Sequence, residues 1–358
     1  MTNIYKIAVI PGDNVGPEVI AEGVKVLKAA ASLCNVGLEM TELPWGSNHY
    51  LATGDYMAPD GMKILQDFDA IYLGAMGDPA RVPSQVTAAG HNQKIKKGMD
   101  LYVNMRPTRL LSGCPTPLKD PGEVDFVIVR ENTEGEYAAA GGRVHMGTDN
   151  EVAVQVSVFT RKTTERVMRF GFELARLRNG KRLVTAVTKA GPMNYSMPFW
   201  NEVFDQVSAD YPDIVPEKMN VDAMAMALML RPSHYDVIVT TNQNGDILSD
   251  LASVIQGSVG MAPGGSINPE REHPSMFEPI HGSAPDIVGK GVANPMATIR
   301  AGQMMLDFLG EAQAARLIER AVEAVVAEGR VRTPDLGGRS GTKEVGDEVC
   351  RQLGQVKR

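Results

Sequence analysis

Cysteine is scarce: three residues in a chain of 358. Cys34, Cys114 and Cys350 are odd in number, far apart and in no CxxC spacing. That excludes a disulfide framework and a cysteine-rich metal site, and it fits a reducing cytoplasm. No apolar run approaches the ~20 residues of a membrane span, so no membrane partner is expected. The opening MTNIYKIAVIPGD holds too short an apolar stretch for a signal-peptide core, and a cytoplasmic location is the expectation. Basic residues are in deficit, with 36 Lys and Arg against 43 Asp and Glu for a net charge of -7. No broad basic face exists to neutralise phosphates, which excludes nucleic acid as a partner. A small anionic substrate remains compatible, because a few arginines dominate the field inside a cleft. Internal repeats and low-complexity tracts are also missing. What is present, 43% hydrophobic and 22% charged residues, is ordinary for a globular protein of about two domains.

Short β-branched runs alternate with helical patterns. Strands are expected at Ile7–Ile10, Ala70–Leu73, Phe126–Val129, Leu183–Val187 and Val237–Val239. Helices are expected at Pro17–Leu33, Thr163–Leu177, Met296–Leu309 and Glu311–Glu328, with Pro17 suited to a first turn. Such alternation implies an α/β architecture with a largely parallel sheet. Glu151–Phe159 differs: E-V-A-V-Q-V-S-V-F alternates with period two after the glycine-rich Gly135–Asn150, as an antiparallel ribbon with one covered face does. It reads either as a hairpin within its domain or as an arm that pairs with a second subunit.

Several residues are placed for chemistry. In Thr241–Asp250, after the Val237–Val239 strand, Gly245 suits a tight strand-to-helix turn. A helix from there sets Asp246 and Asp250 at i and i+4 on one face. Two carboxylates so spaced suit Mg²⁺ or Mn²⁺, which take oxygen ligands, although a helix cap and a solvated acid give the same pattern. Arg130 and Glu131 follow a strand, at the carboxyl end where α/β proteins bind ligands. Arg106 and Arg109 lie in NMRPTR. Arginine's planar fork grips carboxylates bidentately, and surface ion pairing is the plainer reading. Lys189 closes the Leu183–Val187 strand, where a lysine in a cleft can serve as a base. Tyr137 is a possible proton donor. No G-x-G-x-x-G follows the first strand, so the common dinucleotide fingerprint is absent. Phe277–Asp286 and Gly289–Pro295 form instead a loop of small and polar residues whose amides can approach a ligand and whose Asp286 can accept ribose hydroxyls.

Together these segments resemble the β-decarboxylating dehydrogenases, the family of isocitrate, 3-isopropylmalate, tartrate and D-malate dehydrogenases. The motifs are IPGDNVGPEV, NMRPTR, VIVRENTEGEY, VTKA, VDAMAMAL, NQNGDILSDLAS, MFEPIHGSAPDIVGKGVANP and TPDLGG, in family order over nearly the whole chain. The resemblance implies an isopropylmalate-dehydrogenase-like two-domain α/β fold with a ten-stranded mixed sheet and a β-arm for dimerisation. Domain 1, which binds the cofactor, would comprise 1–101 and 257–358. Domain 2, which dimerises and carries metal and substrate residues, would comprise 102–256 with the arm at about 135–160. A cleft lies between them, shared with the partner subunit of a homodimer.

The implied activity is NAD- and metal-dependent oxidative decarboxylation of a (2R)-2-hydroxy diacid. Asp246 and Asp250 would hold Mg²⁺ or Mn²⁺ together with Asp222 of the partner subunit. Lys189 of the partner subunit, with Asp222 beside it, would take the hydroxyl proton. Tyr137 would protonate the enol carbon, and Arg106 and Arg130 would fix the substrate carboxylates. The cofactor loop would contribute Glu278, His281, Gly282, Ser283, Ala284, Asp286 and Asn294. Glu278 would lie near the nicotinamide ribose and Asn294 near the adenine. Asp286 favours NAD, since its charge repels the 2′-phosphate of NADP. A monovalent cation is a possible further cofactor.

Departures from the family pattern narrow the substrate. Lys96 stands where an arginine is usual, keeping the charge but losing the fork; a shift of one or two residues would bring Lys94 or Lys97 there instead. Asn92 and Gln93 fall where the C3 substituent is read. Against an isopropyl chain each unsatisfied polar group costs roughly 1–3 kcal/mol, so isopropylmalate is disfavoured. D-malate or tartrate is the leading expectation, supported by GEYAAAGGRVH and PSMFEPIHGSAPDIVGKG. An isocitrate-like or otherwise specialised substrate read by Asn92 and Lys96 is the alternative. Gly191 after the VTKA lysine and the polar Gln243 are further departures, and they motivate a third reading, a non-catalytic regulatory subunit.

Overall fold

The computed structural model describes residues 3–356. Its strands are β1 (Ile4–Ile10), β2 (Gly37–Glu42), β3 (Ala70–Leu73), β4 (Val103–Arg109), β5 (Asp125–Glu131), β6 (Gly135–Val144), β7 (Val152–Val158), β8 (Leu183–Thr188), β9 (Val215–Asn220), β10 (Val237–Thr240), β11 (Pro263–Ile267) and β12 (Ser275–Pro279). Ten of them form one sheet in the order β2-β1-β3-β12-β11-β4-β5-β10-β8-β9, while β6 and β7 pair separately. The long sheet is mixed, because β11 runs antiparallel to β12 whereas β1–β3, β3–β12, β5–β10 and β8–β10 are parallel. The α/β class and the ten-stranded mixed sheet are therefore as expected.

The expected strands are all present and run one to three residues longer at one or both ends, apart from β3, which keeps its bounds. Their centres read clearly because they are buried on both faces: every residue of β3, β8 and β10 is buried. β11 escaped the pattern. Its sequence, Pro-Gly-Gly-Ser-Ile, has no β-branched run, and it is a strand because it pairs with β12, Gly265 opposite Phe277. The helix expected from Thr163 starts at Arg161, since Thr160 caps it by accepting from the Thr163 amide.

The chain divides into two compact units. The first comprises 1–101, 107–119 and 253–358, and the second 102–106 and 120–252. In the first, the helix Gly16–Cys34, with Pro17 in its opening turn, buries Val19, Ile20, Val26 and Leu27. In the second, Phe126, Phe172, Trp200, Phe204 and Ile238 are fully buried. The ribbon departs from its expected packing. Val152, Val154, Val156 and Val158, the alternating set expected to be covered, are 37–53% exposed because no element of the described residues lies on them. No helix among the described residues is long and apolar enough to cross a membrane.

Candidate functional site

In the second unit the register of the parallel sheet builds the site. β5 and β10 are neighbours with Arg130 opposite Thr240, so the end of one strand delivers its arginine beside the helix that follows the other. That helix, Asn242–Ile255, begins earlier than expected. Gly245 is not its turn but lies inside the first helical turn, and it is glycine because a Cβ there would stand 2.7 Å from both Cβ and Cγ of Arg130. The buried arginine lies along this gap. Its Nε and Nη2 donate to Asn242 Oδ1 at 3.0 and 2.7 Å, and its Nη1 pairs with Asp246.

Arg106, from β4, approaches the same carboxylate. Its Nε donates to Asn104 Oδ1 at 2.7 Å and its Nη1 to Ser249 Oγ at 2.5 Å, and it lies 3.3 Å from Asp246 Oδ1. Tyr137 donates to Asp246 Oδ2 at 3.3 Å, with the Arg130 guanidinium 5.7 Å from its ring centre. Partial burial and the charge of Asp246 hold the phenol's pKa above its ordinary value, so the proton stays on oxygen at neutral pH. One turn beyond Asp246, Asp250 has its carboxyl pKa raised. Crowding by protein atoms and repulsion from Asp246 outweigh the pull of Arg106 and Arg130.

Lys189 and Asp222 form a second group in this unit. β8 and β9 run parallel with Thr188 opposite Asn220, so the residues just past their ends meet. Lys189 Nζ lies 2.6 Å from Asp222 Oδ1, and this hydrogen bond holds the Asp222 carboxyl below its usual pKa. Among the described residues no three His, Cys, Asp or Glu side chains gather as a metal would need. The donor set nevertheless suits a hard cation. Asp246 and Asp250 are both carboxylates on one helix face, and burial, helped by repulsion from Asp246, disfavours the charge on Asp250 that a cation would compensate. Arg109 stands apart in the first unit, paired with Glu319 and Glu323 on the helix Ala312–Glu328, as its plainer reading had it.

The first unit holds a pocket of about 370 Å³. His281, Gly282, Ala284 and Asn294 of the expected cofactor loop line it, with Ser258 and Asp335. His281 donates from Nδ1 to the Gly282 carbonyl at 2.9 Å, burial lowers its pKa, and its Nε2 is left as a buried acceptor without a partner. An unpartnered acceptor on a pocket-lining residue is one that a polar ligand can satisfy. Asn294 donates to Asp335 Oδ2 at 3.0 Å, which also accepts from Ser258 at 2.6 Å.

Ser283 is buried behind this wall, its hydroxyl 3.3 Å from Asn14 Nδ2, and Asp286 is exposed outside the lining. Glu278 is not in the pocket either. It pairs with the buried Lys96 at 2.9 Å, so two residues expected to serve different ligands hold each other. Asn92 ends a π-helical turn, Ala88–Asn92, with its Oδ1 3.0 Å from Nδ1 of the buried His91.

Sequence reasoning missed Asn104, Asn242, Ser249, Ser258 and Asp335. Asn104 carried a signal, since it lies two residues before Arg106 and so on the same strand face. Asn242, Ser249 and Asp335 stood inside quoted motifs with no charge pattern to give them a role.

The family profile for isocitrate/isopropylmalate dehydrogenase matches residues 6–349. The chain is 47% identical over 350 residues to a probable tartrate dehydrogenase/decarboxylase of Bacillus subtilis (strain 168), covering 98% of each chain. It is 46% identical over 359 residues to the D-malate dehydrogenase (decarboxylating) of Escherichia coli (strain K12), covering 98% of this chain and 99% of that one. Among solved structures, an isocitrate dehydrogenase from Methylococcus capsulatus superposes with a TM-score of 0.88 at 35% identity, covering 98% of this chain and 99% of the other.

Proposed function

Because the chain belongs to the isocitrate/isopropylmalate dehydrogenase family, we propose that it catalyses the NAD- and divalent-metal-dependent oxidative decarboxylation of a (2R)-2-hydroxy diacid, D-malate or tartrate. The observation that carries this reading is the convergence of Arg106, Arg130 and Tyr137 on Asp246. Two guanidinium groups, a phenol and a carboxylate pair suit a substrate with two carboxylates and a chelating hydroxyl. The relatives named for D-malate and tartrate support the choice among diacids.

In this reading Arg106 and Arg130 release Asp246 to grip the substrate carboxylates. Asp246 and Asp250 hold the cation, with Asp222 of the partner subunit completing the set. Lys189 of the partner subunit, oriented by the Asp222 beside it, takes the proton of the C2 hydroxyl. Tyr137, which keeps its proton at neutral pH, gives it to C3 once carbon dioxide has left. A bound divalent ion supplies Lewis-acid polarisation of the C2 oxygen, and bound NAD supplies the hydride acceptor. The His281–Asn294 pocket takes the adenosine end of NAD, in a cofactor-binding domain of 1–101 and 257–358.

A homodimer formed through the 102–256 domain fits the apolar surface left open on one chain. Beyond the ribbon valines, Met226 and Leu230, on the helix that carries Asp222, are 62% and 82% exposed. NAD reduction measured with Mn²⁺ and a panel of D-malate, the tartrates, isocitrate and isopropylmalate tests the proposal. Turnover of D-malate or tartrate that stops on chelation supports it. Silence across the panel, or turnover that persists in EDTA, refutes it.

A further inference from the structure

The first turn of the helix Asn242–Ile255 has no acidic residue of its own, yet a carboxylate sits on it. Glu136, from β6, accepts from the Thr241 hydroxyl at 3.0 Å and from the Gln243 amide at 3.1 Å. Its neighbours grip the same turn. The Glu134 carbonyl accepts from Asn242 Nδ2 at 3.1 Å, and Tyr137 reaches Asp246. Gly135 permits the approach, with φ at 72° and no Cβ to press on Asn242. From the far side, Gln155 of β7 donates to the Glu136 carbonyl at 3.1 Å. Three residues at the root of the ribbon, Glu134, Glu136 and Tyr137, thus hold the start of one helix.

The amino end of a helix carries roughly half a positive charge. Asp246 is the fifth residue of this helix, so that charge opposes any cation Asp246 binds, and a carboxylate on the first amides offsets it. We propose that Glu136 is a positioning residue for the divalent cation. It sets the turn that carries Asp246 and cancels the positive end of the helix. The inference rests on the assignment of the cation to Asp246.

The test is Mn²⁺ binding to the full-length protein, without substrate, from the electron paramagnetic resonance signal of the free ion. Asp246→Asn should lose the ion. Glu136→Gln, which keeps the shape but not the charge, should bind it about two- to fivefold more weakly. Glu136→Asp, which keeps the charge, should stay within about twofold of wild type. A thermal melt run alongside separates a mere helix cap from the proposed role. If Glu136→Gln melts lower but binds Mn²⁺ as wild type does, while Asp246→Asn has lost it, Glu136 does not serve the cation. If Asp246→Asn binds Mn²⁺ normally, the cation assignment itself falls, and the inference with it.

Discussion

Gly245→Ala places a single methyl group where the geometry has no room for it. The new Cβ would lie 2.7 Å from Arg130 Cβ and Cγ and 3.2 Å from Cδ. Carbon atoms rest at about 3.5–4.0 Å, so the arginine stem must retreat by about 1 Å. Its head is held by Asn242 at 3.0 and 2.7 Å, and a retreat of that size stretches both bonds towards the limit of hydrogen bonding. A bond from a charged donor contributes about 1.5–3 kcal/mol. Against this, alanine in place of glycine favours the helix by ~1 kcal/mol. The net expectation is a loss of about 1–4 kcal/mol in urea unfolding and, with Arg130 off its mark, a fall of roughly ten- to a hundredfold in kcat/KM for D-malate. A variant that unfolds at higher urea with unchanged kcat/KM would falsify the claim that residue 245 confines Arg130, leaving helix propensity as the only effect.

Four further outcomes are expected. Lys189→Ala should lower turnover by about a thousandfold or more while NAD binding, followed by titration calorimetry, stays intact; retained turnover removes Lys189 as the base. Asp250→Asn should raise the melting temperature of the metal-free protein at neutral pH, because a carboxyl with a raised folded pKa opposes folding once ionised. The same variant should lose Mn²⁺, and in the wild type Mn²⁺ affinity should decline on acidification from a pH above the ordinary aspartate range; a lower melting temperature contradicts the assigned cost of burying the Asp250 charge. Val154→Asp combined with Val156→Asp should shift the mass measured by light scattering from dimer to monomer, and an unchanged mass excludes the ribbon valines from the interface. Asp286→Lys should narrow the preference for NAD over NADP in initial rates, whereas an unaltered ratio contradicts the ribose assignment.

The α/β class, the buried strand centres and most helix positions were legible in the sequence because they follow from local physics. Runs such as Ala70–Leu73 are apolar throughout, and Pro17 marks a first turn. The charged members of the candidate site were legible too, since strand ends are where arginines and lysines of α/β folds face ligands. What sequence alone left undecided depends on partners distant in the chain. Gly245 read as a turn, and only the stem of Arg130, brought alongside by the register of β5 and β10, shows that it leaves space. Lys96 and Glu278, read as residues for substrate and cofactor, turn out to be each other's partner across 182 positions. Glu136 stood inside a quoted motif with no role to mark it, and its role arises where a ribbon root meets a helix start. Composition and periodicity report which face of an element is buried, whereas a hydrogen bond between distant segments exists only once the sheet has set their distance.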